Sequence, residues 1–213
     1  MATEPGLRER KKGQTRDLIA QTAGRLFAER GFDAVTVAEV ARKADVSEVT
    51  VFNYFPAKED LFYVGMEFFE EKLLLGIAER RPGESVLAAF RRLLLESAGR
   101  LAEPDAVKVI AKAARIIDAS PALQARERGI VARFTERLAA QIASEMGVSD
   151  DVVEPLAVAT ALMGIHRALV AYVRRQVLGG RPPSRLVAGF RAQATQAFAL
   201  LENGLAGYAV KGG

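Results

Sequence analysis

Two short helical patterns joined by a tight turn, between Thr36 and Phe55, constrain the fold of this chain more than any other feature. The first begins with "TVAE" at Thr36, a capping box in which the threonine hydroxyl and the glutamate carboxylate satisfy free amides of a helix start. The second begins after Ser47, a favoured N-cap residue, and ends before Pro56. About three residues around Asp45 separate them, which is the spacing of a helix-turn-helix.

The rest of the chain also predicts helices, because no segment alternates apolar and polar residues for long. Glycine, proline and serine breakers divide it into segments. The predicted helices span 15–30, 36–44, 47–55, 58–81, 84–101, 104–118, 121–147, 150–178 and 184–206. We therefore predict an all-α protein of about nine helices, with an N-terminal three-helix helix-turn-helix domain followed by a C-terminal helical domain.

The second helix of the helix-turn-helix sorts its residues into two faces. Val51 and Phe55 lie four residues apart and are predicted to face inward. The opposite face carries small or polar side chains, which are Val49, Thr50 and Asn53. Such a face fits the major groove of DNA, where Asn can bond adenine and a Val or Thr methyl can meet the thymine methyl. Thr36 and Lys58 are placed where they can hold phosphates on either flank.

The composition argues against an enzyme. The chain has no cysteine and one histidine, which excludes disulfides, thiolate metal sites and Cys–His catalytic pairs. It contains no G-x-S-x-G, P-loop or G-x-G-x-x-G motif. We therefore expect no catalysis, no cofactor and no metal. The net charge of +4 does not by itself indicate a nucleic-acid partner, since residues 1–60 hold equal numbers of basic and acidic side chains. They contain one basic run, "RERKK".

One segment, Pro155 to Val173, is long and apolar enough for a membrane span. His166 and Arg167 lie near its middle, where charge is costly, so we interpret it as a helix buried between other helices. The N-terminal residues show no apolar signal region. We expect a cytoplasmic protein without a membrane segment.

The segment "TVAEVARKADVSEVTVFNYFPAKEDLF", from Thr36 to Phe62, resembles the DNA-binding domain of TetR-type transcriptional repressors. The resemblance extends over residues 15 to 70, including "RLFAERGFDAVTV" and "YFPAKEDL". It implies a homodimer in which the last two long helices of each subunit form a four-helix bundle. It also implies a small-molecule pocket whose occupancy moves the fourth helix and separates the recognition helices.

The resemblance places the DNA-contacting positions of the family on eight residues: Thr36, Ser47, Glu48, Val49, Thr50, Asn53, Tyr54 and Lys58. The chain departs from the family pattern at three positions. Asp45 replaces a turn glycine and must tolerate a left-handed backbone. Phe52 stands where a tyrosine often offers a phosphate hydrogen bond, and Ala57 replaces a helix-capping side chain, so the fourth helix starts less firmly.

Effector contacts are expected from aromatic and other apolar side chains of the fourth helix and from polar groups within apolar helices, because ligand pockets combine the two. The candidates are Phe62, Met66, Phe69, Arg115, Asp118 and His166. Core packing or a surface position is the alternative for each. The alanine- and glycine-rich helices around 157–171 and 188–199 are the expected dimer surface.

We thus expect a flexible basic arm over 1–14, a DNA-binding domain over 15–60, an effector-binding and dimerisation domain over 61–207 and a flexible tail over 208–213. The expected function is a repressor that binds a near-palindromic operator as a dimer and is released by a small apolar or amphipathic ligand. The alternatives are a helical ligand-binding or adaptor protein without sequence-specific DNA binding, a sequence-independent DNA binder, and an activator of the same fold.

Overall fold

The computed structural model describes residues 6–149 and 151–204, with the backbone alone for residues 7–9, 67, 68 and 203. This part of the chain is helical and contains no strand, which confirms the predicted fold class. Its nine α-helices are α1 Leu7–Arg30, α2 Val37–Lys43, α3 Glu48–Tyr54, α4 Met66–Ala78, α5 Val86–Ser97, α6 Pro104–Ala119, α7 Pro121–Met146, α8 Val153–Leu178 and α9 Pro183–Asn203.

The helix-turn-helix is formed by α2 and α3, and side-chain caps set its boundaries. The Thr36 hydroxyl accepts a hydrogen bond from the Glu39 amide at 3.2 Å, which begins α2. The Ser47 hydroxyl accepts from the Thr50 amide at 3.0 Å, which begins α3. Only half of the predicted capping box at α2 forms, because the Glu39 carboxylate pairs with Arg30 at the end of α1.

The turn between α2 and α3 depends on a left-handed residue. Asp45 has φ of +54°, and it is the one non-glycine with positive φ within the described ranges. Aspartate tolerates this region better than most residues, as predicted from its position in the turn. The Val46 amide then donates to the Ala41 carbonyl at 3.0 Å and redirects the chain toward α3.

The chain forms two compact units, and the first is discontinuous in sequence. It comprises Met1–Glu67 and Arg115–Arg126, the segment where α6 ends and α7 begins. Hydrogen bonds join this segment to the N-terminal part: Ser120 Oγ donates to Asp33 Oδ1 at 2.8 Å, Tyr63 Oη to the Leu123 carbonyl at 2.9 Å, and Arg126 Nε to Asp60 Oδ1 at 2.8 Å. The predicted boundary between residues 60 and 61 therefore falls inside this compact unit.

The core of the first unit is aromatic. The rings of Phe27 and Phe32 lie 5.0 Å apart, and Phe62 lies 6.3 Å from each of them. Tyr63 meets Phe62 edge-on at 5.2 Å. Aromatic pairs of this kind add to the free energy gained from burial alone. The residues that follow the helix-turn-helix in sequence are thereby held against α1.

The predicted fourth helix over 58–81 is interrupted. A short 3-10 helix spans Lys58–Leu61, and α4 begins only at Met66. Gly65 has φ of +91°, a conformation incompatible with a continuous helix. The first helix also differs from the prediction, because α1 begins at Leu7 and occupies half of the expected arm over 1–14. The tail predicted over 208–213 lies outside the described residues.

The second unit comprises Phe68–Ala114 and Glu127–Gly213. Its core includes Phe90, Leu138, Leu162, Leu186 and Phe198, all nearly inaccessible to solvent. In this unit α8 and α9 pack closely where Gly189 faces Tyr172, since a Cβ on Gly189 would overlap the tyrosine hydroxyl.

Only one side of α8 is covered. The buried residues of α8 include Pro155, Ala159, Leu162 and Val173. In the most apolar stretch of α8, however, only 22% is buried. Among the described residues α8 is the one helix long and apolar enough to cross a membrane by length and composition. The interpretation of this segment as a helix buried between other helices stays a prediction, since its open apolar side lies in the segment expected as the dimer surface.

Candidate functional site

The side of α3 opposite the core is open to solvent. Val51 and Phe55 are 1% and 2% exposed and anchor the helix against the core of the first unit. Val49 is 69% exposed, and Asn53 is exposed on the same side. This is the orientation that the helical periodicity predicts. The outward side combines an apolar side chain with an amide that can both donate and accept hydrogen bonds.

Thr50 is hydrogen-bonded to Ser47, the N-cap residue of α3. Its hydroxyl lies 2.8 Å from the Ser47 hydroxyl, and its amide donates to the same Ser47 oxygen. Thr50 is half-buried, while Ser47 and Glu48 are exposed at the start of α3. The hydrogen bond between the hydroxyls restricts both side chains, so this end of α3 has a defined shape before it meets any partner.

Three other predicted DNA-contacting residues are Thr36, which begins α2, Tyr54, which ends α3, and Lys58, which follows α3. Thr36 is exposed at the start of α2, and its hydroxyl accepts the Glu39 amide. Tyr54 is half-buried in the last turn of α3. These residues and the outward side of α3 all belong to the first compact unit.

Lys58 is engaged inside the first unit. Its Nζ donates to the Phe32 carbonyl at 2.7 Å and lies 4.1 Å above the centre of the Phe32 ring. Desolvation lowers the pKa of its ammonium, against the opposing effect of Asp33. An ammonium has three donors, so two remain after the carbonyl is satisfied. The sequence did not predict this internal contact, because Phe32 lies 26 positions earlier.

The first compact unit carries exposed basic residues that the sequence analysis did not name as candidate site residues. Arg42 and Lys43 are exposed in the last turn of α2. Arg10, Lys11 and Lys12 are exposed on α1, so the basic run predicted as an arm partly belongs to a helix. The signal available in the sequence was the run "RERKK" itself and the basic pair that ends α2.

Three predicted effector residues, Phe62, Arg115 and Asp118, lie in the first compact unit. Phe62 belongs to the aromatic core of the first unit, and Arg115 and Asp118 are exposed on α6 in that unit. The assignment of these three residues as ligand contacts stays a prediction. Met66 is half-buried at the start of α4 and also belongs to the first unit.

The structure brings together Phe69 and His166 in the second unit. Their rings are stacked with centroids 6.2 Å apart and planes at 24°. Nδ1 of His166 is buried without a hydrogen-bond partner within the described part of the chain. Burial lowers the pKa of His166 to about 4, while Glu127 raises it and Arg174 lowers it further. The imidazole is therefore neutral at pH 7, with one unsatisfied nitrogen.

A separate groove of about 630 Å³ opens between α5 and α9, and it contains none of the predicted effector residues. Arg91 and Glu202 pair across it at 2.9 Å. No group of three His, Cys, Asp or Glu side chains within the described ranges has an arrangement that could hold a metal ion.

Residues 19–63 match the family model for bacterial regulatory proteins of the tetR family. The chain is 28% identical over 170 residues to the HTH-type transcriptional regulator TcmR of Streptomyces glaucescens, covering 78% of this chain and 75% of TcmR. It is 29% identical over 120 residues to the nucleoid occlusion factor SlmA of Pasteurella multocida, covering 54% of this chain and 57% of SlmA.

Solved structures share the fold at low sequence identity. NalD of Pseudomonas aeruginosa, described as the secondary repressor of the MexAB-OprM multidrug efflux pump, aligns with a TM-score of 0.57 at 20% identity over 87% of this chain and 97% of NalD. The fatty acid degradation regulator FadR of Bacillus halodurans aligns with a TM-score of 0.54 at 19% identity, over 98% of this chain and 100% of FadR.

Proposed function

We propose that this chain, which belongs to the TetR family of bacterial regulatory proteins, is a transcriptional repressor that binds a near-palindromic DNA operator as a homodimer and is released by a small-molecule effector. The observation that carries the proposal is the geometry of α3. Its solvent-facing side presents Val49 and Asn53, while Val51 and Phe55 are buried on the opposite side. A helix held in this way can enter the major groove with its backbone close to the bases.

Dimerisation is proposed through the open sides of α8 and α9. Small side chains are exposed along both helices: Ala157, Thr160, Gly164, Ala168 and Ala171 on α8, and Ala188, Ala192 and Thr195 on α9. Val153 and Leu156 are 74% and 49% exposed at the start of α8. A second copy covers this apolar side and allows close helix packing, as a two-fold interface requires.

The open side of α8 and α9 can be tested directly. Ala192→Arg places a charge in the proposed interface and should yield a monomer by sedimentation. Ala140→Arg is the matched control, since Ala140 is an exposed helical alanine on α7 of the same unit. A dimeric Ala192→Arg protein with full operator affinity would contradict this surface.

The effector is proposed to contact Phe69 and His166. A buried nitrogen without a partner costs free energy, and a ligand that hydrogen-bonds to Nδ1 would recover it. The neighbouring Phe69 ring favours a planar aromatic ligand with a hydrogen-bonding group. A thermal-shift screen of hydroxylated aromatic compounds tests this, with His166→Phe expected to abolish the response and Gln193→Ala, on exposed α9, as control.

Effector binding is proposed to reach α3 through helices that the two compact units share. Residues of α4, α6 and α7 are divided between the units, and the segment where α6 meets α7 belongs with the helix-turn-helix. In that segment Arg126 pairs with Asp60, which also accepts the Ala57 amide at 3.0 Å. Displacement of α6 or α7 would therefore act on the segment that follows α3 in the chain.

Selection of bound sites from a random double-stranded DNA pool tests the main proposal. We expect a palindrome whose half-sites are spaced by about one helical turn or a multiple of it. Asn53→Ala should lower operator affinity by about 1–3 kcal/mol and leave random-sequence binding nearly unchanged. Recovery of no preferred sequence would reject specific operator binding and favour a sequence-independent binder or an adaptor.

The release model has its own test in reciprocal binding. If the effector prefers the DNA-free form, operator DNA must weaken effector binding by the same factor by which the effector weakens operator binding. Titration calorimetry with and without operator measures both. Equal effector affinities in the two titrations would remove effector release from the proposal while leaving DNA binding intact.

A further inference from the structure

The outward side of α3 is more apolar than a helix that reads DNA by hydrogen bonds alone requires. Val49 is 69% exposed and Phe52 is 47% exposed, three positions apart on the same short helix. Residues at this spacing are neighbours on a helix surface, and Asn53 follows four positions after Val49. The three side chains form one continuous surface, which we call the Val49–Phe52 patch with Asn53 at its border.

Packing within the chain does not account for this patch. The inward side of α3 is already anchored by Val51 and Phe55, which are almost completely buried. Phe52 forms none of the ring pairs found among the described residues, whereas Phe27, Phe32, Phe62 and Tyr63 pair with one another. Adjacent exposed apolar side chains in a binding helix indicate a contact with an apolar surface on the partner.

The major groove of DNA has one apolar group on its base edges, the C5-methyl of thymine. We infer that the Val49–Phe52 patch recognises thymine methyl groups, so each operator half-site contains neighbouring thymines beside an adenine that Asn53 bonds. This inference rests on the proposed function, since it assigns the bases that α3 reads. Phe52 lacks the hydroxyl that a tyrosine would direct to a phosphate, and its exposed ring is available for the bases instead.

The polar side chains near the patch limit which other bases α3 can read. The Thr50 hydroxyl is engaged with Ser47 at 2.8 Å, which leaves Asn53 and Glu48 as the exposed polar side chains of α3. Asn matches adenine, and Glu accepts from cytosine N4. None of the exposed side chains of α3 offers the paired positive donors that favour guanine. The readout expected from α3 is therefore rich in thymine–adenine pairs.

The test removes single methyl groups from the DNA. In the selected operator, each thymine is replaced in turn by deoxyuridine, which keeps every hydrogen-bonding group and lacks only the methyl. We expect about a fourfold loss of affinity at each contacted thymine, the value of one buried methyl group. A contacted thymine–adenine pair can also be replaced by a cytosine–guanine pair. The protein should then bind an operator with 5-methylcytosine at that position more tightly than one with cytosine.

A double-mutant cycle assigns the effect to the patch. Val49→Ala should make the protein insensitive to uracil at one position, and Phe52→Ala at a neighbouring one, because each removes the partner of a methyl group. Leu18→Ala is the control, since Leu18 is 49% exposed on α1 of the same unit and should leave every uracil effect unchanged. Circular dichroism of each variant checks that α3 is intact.

The possible results are distinct. A palindromic operator whose affinity is unchanged by uracil at every position would overturn the inference and leave the proposed function standing. Uracil effects that persist at full size in both Val49→Ala and Phe52→Ala would also overturn it, because other residues would then contact the methyl groups. Failure to select any sequence would instead reject the proposed function.

Discussion

The hydroxyl of Tyr63 donates a hydrogen bond to the main-chain carbonyl of Leu123 at 2.9 Å, joining residues 60 positions apart in sequence. Tyr63 is only 8% exposed and Leu123 is fully buried. The bond joins the segment just after the helix-turn-helix to the first turn of α7. It makes the beginning of α7 a structural part of the first compact unit.

Removal of this hydroxyl should destabilise the first unit. Tyr63→Phe keeps the ring against Phe62 but removes the hydroxyl that donates to the Leu123 carbonyl from outside α7, which should cost about 1 kcal/mol. Urea unfolding followed by circular dichroism measures the loss. Tyr54→Phe, at a half-buried position on α3, is the control and should change stability by less than about 0.5 kcal/mol. Equal stabilities of the two variants would contradict the role of this bond.

The left-handed residue in the turn offers a stabilising substitution. Asp45 has φ of +54°, a conformation that glycine adopts without steric cost. We expect Asp45→Gly to raise the free energy of unfolding by about 0.5 kcal/mol and Asp45→Ala to lower it by about 1 kcal/mol. The midpoint of urea unfolding distinguishes them. A stabilised alanine variant would show that the turn relaxes to negative φ in solution.

The buried histidine predicts a pH dependence of stability. Burial lowers the pKa of His166 from 6.5 to about 4 in the folded chain. The unfolded chain therefore binds more protons between these values, and stability falls as pH decreases from about 6.5 toward 4. From pH 7 to pH 5 this group should cost about 2 kcal/mol.

His166→Gln removes that titration. The variant should lose less stability than the parent chain over the same pH range, and the difference between the two unfolding curves isolates the one group. Parallel loss of stability in both proteins would show that His166 is accessible enough to be protonated in the folded state.

Lys58 has an internal contact in the structure and a predicted contact with DNA. Its Nζ supports the Phe32 carbonyl, and we expect its remaining donors to hold a DNA phosphate. Lys58→Met should weaken binding to operator and random DNA alike and reduce the slope of log K against log salt by about one. Lys108→Met, at an exposed position on α6, is the control. An unchanged salt slope with reduced stability would leave Lys58 with the internal role alone.

Local patterns predicted the helix-turn-helix closely. The caps at Thr36 and Ser47, the left-handed Asp45 and the buried pair Val51 and Phe55 all involve residues within a few positions of one another. Interactions of this range are set by backbone geometry and by side-chain spacing on one helix, which the sequence displays directly. The ends of α6 to α9 followed from prolines and glycines in the same way.

The surroundings of the predicted effector residues could not be predicted from the sequence, because residue type and helical spacing do not say which helix covers a side chain. Phe62 and Phe69 occur in similar apolar surroundings in the sequence, yet Phe62 packs in the aromatic core of the first unit and Phe69 stacks on His166 in the second. Likewise the exposed positions of Arg115 and Asp118 depend on how α6 packs, and not on α6 alone.

The amino-acid sequence by itself determined the helical class, the positions of the turns and the face of α3 that avoids the core, since these depend on propensity, capping and period. Tertiary structure alone decided that residues 115–126 join the first unit, that Lys58 bonds Phe32 and that one side of α8 stays open. Those outcomes depend on contacts between residues distant in sequence, and such contacts exist only after the helices have packed.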